Sequence, residues 1–121
     1  MMPRNNALAS RNGREVELQV LHCLGIDHIR QPVDSRIKGH PIEIKSCQQY
    51  IEDTYHTNCR RSGRFLFNSE QHEYLLRNRG SYIFIVRDAS DILKSRILRA
   101  DLLRLKRFEG VLQMPWHKVM A

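Results

Sequence analysis

The stretch GHPIEIKSCQQY, residues 39–50, decides the fold and raises the question of function. Its apolar centre predicts a buried strand. Because side chains two positions apart on a strand project to the same face, Glu43 and Lys45 point the same way. Ile42 and Ile44 then point to the opposite face. A core gains nothing from an acid and a base, so the charged pair needs either a chemical role or contact with solvent.

The length of the chain bounds its organisation. A chain of 121 residues suggests a single domain over residues 1–121, in which residues 1–12 form a flexible arm. No run of about 18 apolar residues is present, so we expect no membrane span. The polar N-terminus lacks the apolar stretch of a secretory signal, so we expect an intracellular protein. Cys23, Cys47 and Cys59 form no CxxC pair and predict buried or half-buried thiols rather than a zinc site.

The net charge indicates the class of partner. Twenty Lys and Arg residues against thirteen Asp and Glu residues give a formal net charge of +7. A basic protein that approaches a phosphate backbone gains free energy from the release of condensed counterions. The charge therefore favours a nucleic acid as the partner, with a merely soluble basic domain as the alternative.

The order of predicted elements indicates one α/β domain with a mixed sheet. Apolar spacing predicts helices at residues 12–25, 70–79 and 102–108, and strands at 27–33, 40–47, 64–68, 81–88 and 94–100. A turn at 34–39 joins the first two strands into a hairpin. Ser69 is the predicted N-cap of the second helix, and Asp101 that of the third. The near-continuous apolar strand at 81–88 predicts cover on both faces. Residues 48–63 remain ambiguous.

A second carboxylate is expected beside the charged pair. Asp34 lies nine positions before Glu43, where the predicted hairpin folds it back beside the second strand. Hard cations such as Mg²⁺ bind one or two carboxylates together with substrate phosphates. A metal there can lower the pKa of a water, while Lys45 positions or deprotonates that water or neutralises the phosphorane. These parts suit metal-assisted phosphodiester hydrolysis, and a surface ion pair is the alternative for Glu43 and Lys45.

The first predicted helix offers a third carboxylate. Glu17 lies on the same helical face as Val20 and Leu21, where an acid is costly unless something compensates it. A metal site at the N-terminal end of this helix would provide that compensation. Glu15 points elsewhere and is the alternative helix acid.

These motifs resemble those of a known nuclease superfamily. Asp34 followed by the sequence EIK at 43–45, after a helix that carries an inward glutamate, resembles the PD-(D/E)xK nucleases. The helix itself resembles the opening helix of the archaeal and archaeal-virus Holliday-junction resolvases, because Gly13 lies four positions before Glu17. The resemblance implies a restriction-endonuclease-like α/β fold, with a mixed central β-sheet flanked by helices.

The resemblance also implies an activity and a site. Glu17, Asp34 and Glu43 would bind Mg²⁺, with Mn²⁺ as a possible substitute, and Lys45 would be the catalytic lysine. The protein would act as a homodimer on four-way DNA junctions, in the cytoplasm of an archaeal or virus-infected cell. A restriction- or repair-type nuclease is the alternative within this chemistry. A basic nucleic-acid-binding module without catalysis is the alternative outside it.

Several other side chains are candidates for contact with DNA. Arginine suits phosphate binding because its planar guanidinium can hold two oxygens at once. The candidates are Arg36 and Lys38 in the hairpin and the cluster Arg60, Arg61 and Arg64, with a solvated loop as the alternative for the cluster. Gln71 on the second helix is a candidate for contact with a phosphate or a metal-bound water, and a solvated helix face is its alternative. The aromatic residues Phe65, Phe67, Tyr82 and Phe84 are expected in the core rather than as base-stacking platforms.

Overall fold

The computed structural model of the chain describes residues 17–22, 35–37, 39–52, 60–89 and 91–121. It describes residues 35–37, 52 and 60 by their backbone alone. The strand predicted at 27–33, the predicted arm, Asp34 and Lys38 lie outside these ranges. None of the helices within the ranges is long and apolar enough to span a membrane.

The described elements comprise eight strands, three helices and one 3₁₀ turn. In order they are α1 (17–22), β1 (Ser35–Ile37), β2 (His40–Gln48), β3 (Tyr50–Glu52), β4 (Arg60–Ser62), β5 (Arg64–Asn68), α2 (Ser69–Arg77), β6 (Ser81–Asp88), β7 (Asp91–Arg99), a 3₁₀ turn (Ala100–Leu102), β8 (Val111–Pro115) and α3 (Trp116–Met120). The predicted strands at 40–47, 64–68 and 81–88, and the helix at 70–79, are confirmed.

The central sheet is four-stranded and mixed. Its strand order is β1-β2-β6-β7, with the inner pair parallel and both outer pairs antiparallel. The parallel pair needs a crossover connection, and α2 lies within it. Two smaller antiparallel sheets, β3–β4 and β5–β8, complete the described strands. The predicted mixed central sheet flanked by helices is therefore confirmed.

Strand β6 separates two apolar clusters, which explains its nearly unbroken apolar sequence. On one side, the aromatic face, Tyr82, Phe84 and Val86 pack in a cluster that includes Phe65 and Phe67. On the other side, the isoleucine face, Ile83 and Ile85 pack with Leu21, Ile42 and Ile44. All four aromatic residues that were expected in the core are fully buried. The sheet is thus covered on both faces, by α1 on the isoleucine face and by α2 and β5 on the aromatic face.

The first hairpin is tighter than predicted. The segment 34–39, predicted as a turn, contains β1, whose Ser35 pairs with Ile42 and whose Ile37 pairs with His40. The turn is confined to the region of Gly39, whose φ of +83° is a left-handed conformation that glycine adopts without steric cost. Residues 35–37, which the sequence assigned to the turn, instead form a strand because they pair with β2.

Two further predictions of secondary structure were wrong, the N-cap of one helix and the existence of another. The N-cap of α2 is Asn68 rather than Ser69, because the Asn68 side chain accepts from the backbone N–H of Glu70 and Gln71. The helix predicted at 102–108 is replaced by the short 3₁₀ turn and an extended loop. In this loop Leu103 and Leu105, two positions apart, are both half-buried, which is the spacing of extended chain.

Candidate active site

The charged pair on β2 lies where the sequence predicts it. Glu43 and Lys45 both project to the aromatic face, and Lys45 Nζ lies 3.8 Å from Glu43 Oε1. Only 14% of the Lys45 side chain and 10% of the Glu43 side chain are exposed. The alternative of a solvated surface ion pair does not fit this burial. Removing two charges from water is costly, so the burial of this pair is weak evidence that it stabilises the fold.

Gln71 of α2 holds the lysine from above the sheet. Lys45 Nζ donates a hydrogen bond of 2.8 Å to Gln71 Oε1. The backbone of Gln71 is fixed at the start of α2, because Asn68 Oδ1 accepts from the Gln71 backbone N–H at 3.2 Å. Gln71 is half-buried, so the alternative of a solvated helix face does not describe it. A hydrogen bond between an ammonium and an amide oxygen restricts where the amine can point.

A neutral polar pair lies on the strand beside Glu43. Tyr82 is the β6 partner of Glu43, and its hydroxyl lies 2.8 Å from His72 Nδ1 of α2. Burial raises the pKa of Tyr82, and the negative charge of Glu43 raises it further. Burial lowers the pKa of His72, although Glu73 opposes the change. Both groups are therefore held neutral at pH 7, and Glu43 keeps the only negative charge of this trio.

Cys47 follows Lys45 on the same face but has no features of a nucleophile. It is buried in the aromatic cluster, as the sequence predicts for its thiols. Burial raises its pKa to about 12, and the charge of Arg87 offsets this only in part. The thiol is protonated at neutral pH, and a protonated thiol is a poor nucleophile. Cys23 and Cys59 lie outside the described residues.

Glu17 approaches the sheet from its other face. Helix α1 packs Leu21 against Ile42 and Ile44, on the isoleucine face. Burial lowers the pKa of Arg87, while the nearby Cys47 and Glu17 act to raise it. Glu17 therefore lies within electrostatic reach of Arg87. Its predicted place in a metal site with Glu43 stays a prediction, and Glu15 lies outside the described ranges.

The described part of the chain supplies only part of the predicted metal site. Within it, no group of three or more His, Cys, Asp or Glu side chains is arranged to hold a metal ion. Glu43 offers a carboxylate, the hard oxygen ligand that Mg²⁺ prefers, in a nearly dry position. Asp34, the predicted second ligand, lies outside the described residues. The donor present fits a divalent cation but does not complete a site alone.

The predicted DNA contacts are only partly described. Arg61 on β4 and Arg64 on β5 are exposed, as contact with a phosphate requires. Arg36 and Arg60 are described by their backbone alone, and Lys38 is outside the described ranges. No described contact tests the binding of DNA by these five residues, so it remains a prediction.

Comparison with known proteins gives one result. The family model described as "PD-(D/E)XK nuclease superfamily domain" matches residues 2–121. No curated protein and no solved structure matches the chain significantly. The match covers nearly the whole chain, and it agrees with the mixed sheet and with the buried acid and lysine on β2. The chain belongs to the PD-(D/E)XK nuclease superfamily, whose members are metal-dependent nucleases.

Proposed function

We propose that this nuclease is a Mg²⁺-dependent, structure-selective DNA endonuclease that resolves four-way junctions as a homodimer. The observation that supports the chemistry is the arrangement of Glu43, Lys45 and Gln71 on one face of the sheet. An acid and an amine held in fixed positions and largely out of water match the needs of phosphodiester hydrolysis.

The antiparallel register supports a second carboxylate beside Glu43. Ser35 pairs with Ile42, so the next positions of the two strands are 34 and 43. Residues directly opposite each other in an antiparallel pair project to the same face. A ladder continued by one residue would bring Asp34 beside Glu43 on the aromatic face. These two acids would hold the cation, and Mn²⁺ would be accepted in place of Mg²⁺. Glu17 is the proposed third ligand; because α1 packs on the isoleucine face, its carboxylate would have to reach the cation past the end of the strands.

A bound divalent ion would supply a water of lowered pKa and would offset charge on the scissile phosphate. The Lys45 ammonium, which donates to Gln71, is a cation beside the Glu43 carboxylate. A cation at this place would attract the attacking water or the oxygens of the phosphorane. Gln71 thereby acts as a positioning residue, because it limits the directions in which Lys45 can point.

The choice of a four-way junction rests on charge and symmetry. The net charge of +7 favours a polyanion, and contacts to a phosphate backbone suit recognition of the shape of DNA rather than of its bases. A homodimer has the two-fold symmetry of a junction, so two sites at a fixed separation could cut two strands symmetrically. Arg36, Lys38, Arg60, Arg61 and Arg64 are proposed to contact phosphates. Restriction- or repair-type nucleases on other DNA are equally compatible with the family.

The test is a panel of four-way, flap and plain duplex DNA, each incubated with Mg²⁺ or with EDTA. Cleavage confined to the junction and abolished by EDTA is expected. Cleavage of plain duplex at an equal rate would instead indicate a restriction- or repair-type nuclease. The absence of cleavage at every metal concentration, with DNA binding retained, would indicate a binding module. A monomer in light scattering would contradict the homodimer.

The site itself is tested by Asp34→Asn and Glu43→Gln. Both variants should lose Mg²⁺-dependent cleavage and keep or tighten DNA binding, because each removes a negative charge beside the phosphate. Glu70→Gln is the matched control, because Glu70 is an exposed acid at the start of α2. Retained cleavage in both site variants would overturn the assignment.

A further inference from the structure

A basic loop runs along the outside of α2. We use this name for residues 103–110, which follow the 3₁₀ turn and carry three cations, Arg104, Lys106 and Arg107. The 3₁₀ turn that precedes the loop contacts α2. Its Ala100 N–H donates at 2.9 Å to the carbonyl oxygen of Gly80, just beyond the C-terminal end of that helix. The loop therefore begins beside the helix that carries Gln71.

The far end of the basic loop is tied to the start of α2. The Ser69 N–H donates to Gly110 O at 2.8 Å, and the Gly110 N–H donates to Ser69 Oγ at 3.0 Å. The loop therefore passes beside α2, from a point just beyond the C-terminal end of the helix to its first residue. Two residues before Gly110, the Phe108 ring lies 6.3 Å from the ring of His72, the neighbour of Gln71. The loop is thus on the same side of the sheet as Glu43 and Lys45.

Apolar and basic side chains of the basic loop point in opposite directions. Leu103, Leu105 and Phe108 are half-buried and pack on the aromatic cluster. The three cations between them are exposed. Within the described part of the chain, none of the three forms an ion pair or a side-chain hydrogen bond. The three apolar side chains fix the loop to the core, and the three positive charges face solvent.

We propose that the basic loop binds the phosphate backbone of DNA beside the Glu43–Lys45 site. This inference rests on the proposed function, because it adds a contact surface for the same DNA. Three exposed cations on an anchored segment need little ordering on binding, and each phosphate that they neutralise releases condensed counterions. The loop contacts the backbone, so it contributes affinity without sequence preference.

The test compares two triple variants of the full chain that lose the same charge. The first is Arg104→Gln/Lys106→Gln/Arg107→Gln. The control replaces exposed cations elsewhere, as Arg77→Gln/Arg79→Asn/Lys118→Gln, in which asparagine tolerates the positive φ of residue 79. Binding of a labelled four-way junction is measured in EDTA over a range of salt concentrations.

The loop variant should bind more weakly, and the slope of log K against log salt should become shallower by about 2 to 3. The control should keep a slope close to that of the wild type. Equal losses in both variants would show an effect of net charge alone and would overturn the inference. An unchanged slope in the loop variant would overturn it as well.

A charge-preserving variant, Arg104→Lys/Arg107→Lys, distinguishes electrostatics from misfolding, because it should keep the wild-type slope. Failure of the inference and failure of the proposed function have different signatures. A wild-type protein that binds DNA through the loop and never cleaves it would overturn only the proposed function. One that cleaves junctions with its binding unaffected by the loop variant would overturn only the inference. Absence of DNA binding by the wild type would overturn both.

Discussion

The parallel strands β2 and β6 lie side by side and use their two faces differently. On the isoleucine face both strands supply isoleucine to one cluster. On the aromatic face, β6 supplies Tyr82 and Phe84, while β2 supplies Glu43 and Lys45 at the same two levels of the sheet. At these two levels of the sheet, β2 therefore departs from the pattern of a core on its aromatic face.

This difference separates the residues that stabilise the fold from those that serve its chemistry. A buried ion pair can often be replaced by apolar side chains of similar volume at no loss of stability, or with a gain. The aromatic side chains of β6 show that the same face accepts such side chains. Sequences that break a packing rule without structural benefit do so mostly at functional sites. This departure supports the proposal that the β2 pair belongs to the active site, and four predictions test the contrast.

The largest effect on stability is expected on β6. Phe84→Ala should lower the free energy of unfolding by about 3–5 kcal/mol, because it empties a fully buried position between Phe65 and Tyr82. Lys45→Ala, at the same level of β2, should lower it less and should reduce cleavage by about 10²–10⁴-fold. Urea denaturation and a cleavage assay check both. Equal stability losses would contradict the contrast between the strands.

The second prediction concerns apolar replacement of the β2 pair, which gives β2 the apolar character of β6 on the aromatic face. Glu43→Leu/Lys45→Met should leave the free energy of unfolding unchanged or raise it by about 1–4 kcal/mol, because both charges of a buried pair leave together. Cleavage should be lost. Glu43→Leu alone should be less stable than the double variant, since it removes the carboxylate beside a buried ammonium and keeps the ammonium. A double variant that does not fold would show that the pair is structural.

A smaller effect is expected at Gln71. Gln71→Ala removes the acceptor of the Lys45 ammonium, and a hydrogen bond to a charged group contributes about 1.5–3 kcal/mol. If this restraint acts on the reaction, kcat should fall by about ten- to a hundredfold with little change in KM. Gln71→Glu, which keeps an acceptor, should retain more activity. Loss of stability with unchanged kcat would assign Gln71 a structural role only.

The smallest effect is a pH dependence from His72. Its folded pKa lies below the unfolded value of 6.5, because burial favours the neutral imidazole. The stability that this provides is fully present above pH 6.5 and is lost as the pH falls below it, since the unfolded chain then binds the extra proton. Urea denaturation between pH 5 and pH 7.5 should show this loss, and His72→Gln should reduce the slope. Identical slopes would contradict it.

Predictions from local sequence patterns were confirmed where they depended on the periodicity of a single strand. The alternation in β2 predicted that Glu43 and Lys45 share a face, and the apolar run of β6 predicted cover on both sides. Both are confirmed, because strand periodicity depends only on neighbouring residues. The helix expected at 102–108 failed, because its leucines bury against a core that sequence spacing does not reveal.

The sequence by itself determined the alternating strands, the adjacency of the acid and the lysine, and the positive charge, since each follows from local geometry or composition. Tertiary packing alone decided that the side chain of Gln71, 26 residues beyond Lys45, accepts a hydrogen bond from the Lys45 ammonium. The same packing decided that Tyr82 lies beside Glu43. It also decided that the basic loop lies against α2. The reason is that these contacts depend on how a helix and a parallel strand settle on a shared core, where many residues distant in the chain act together.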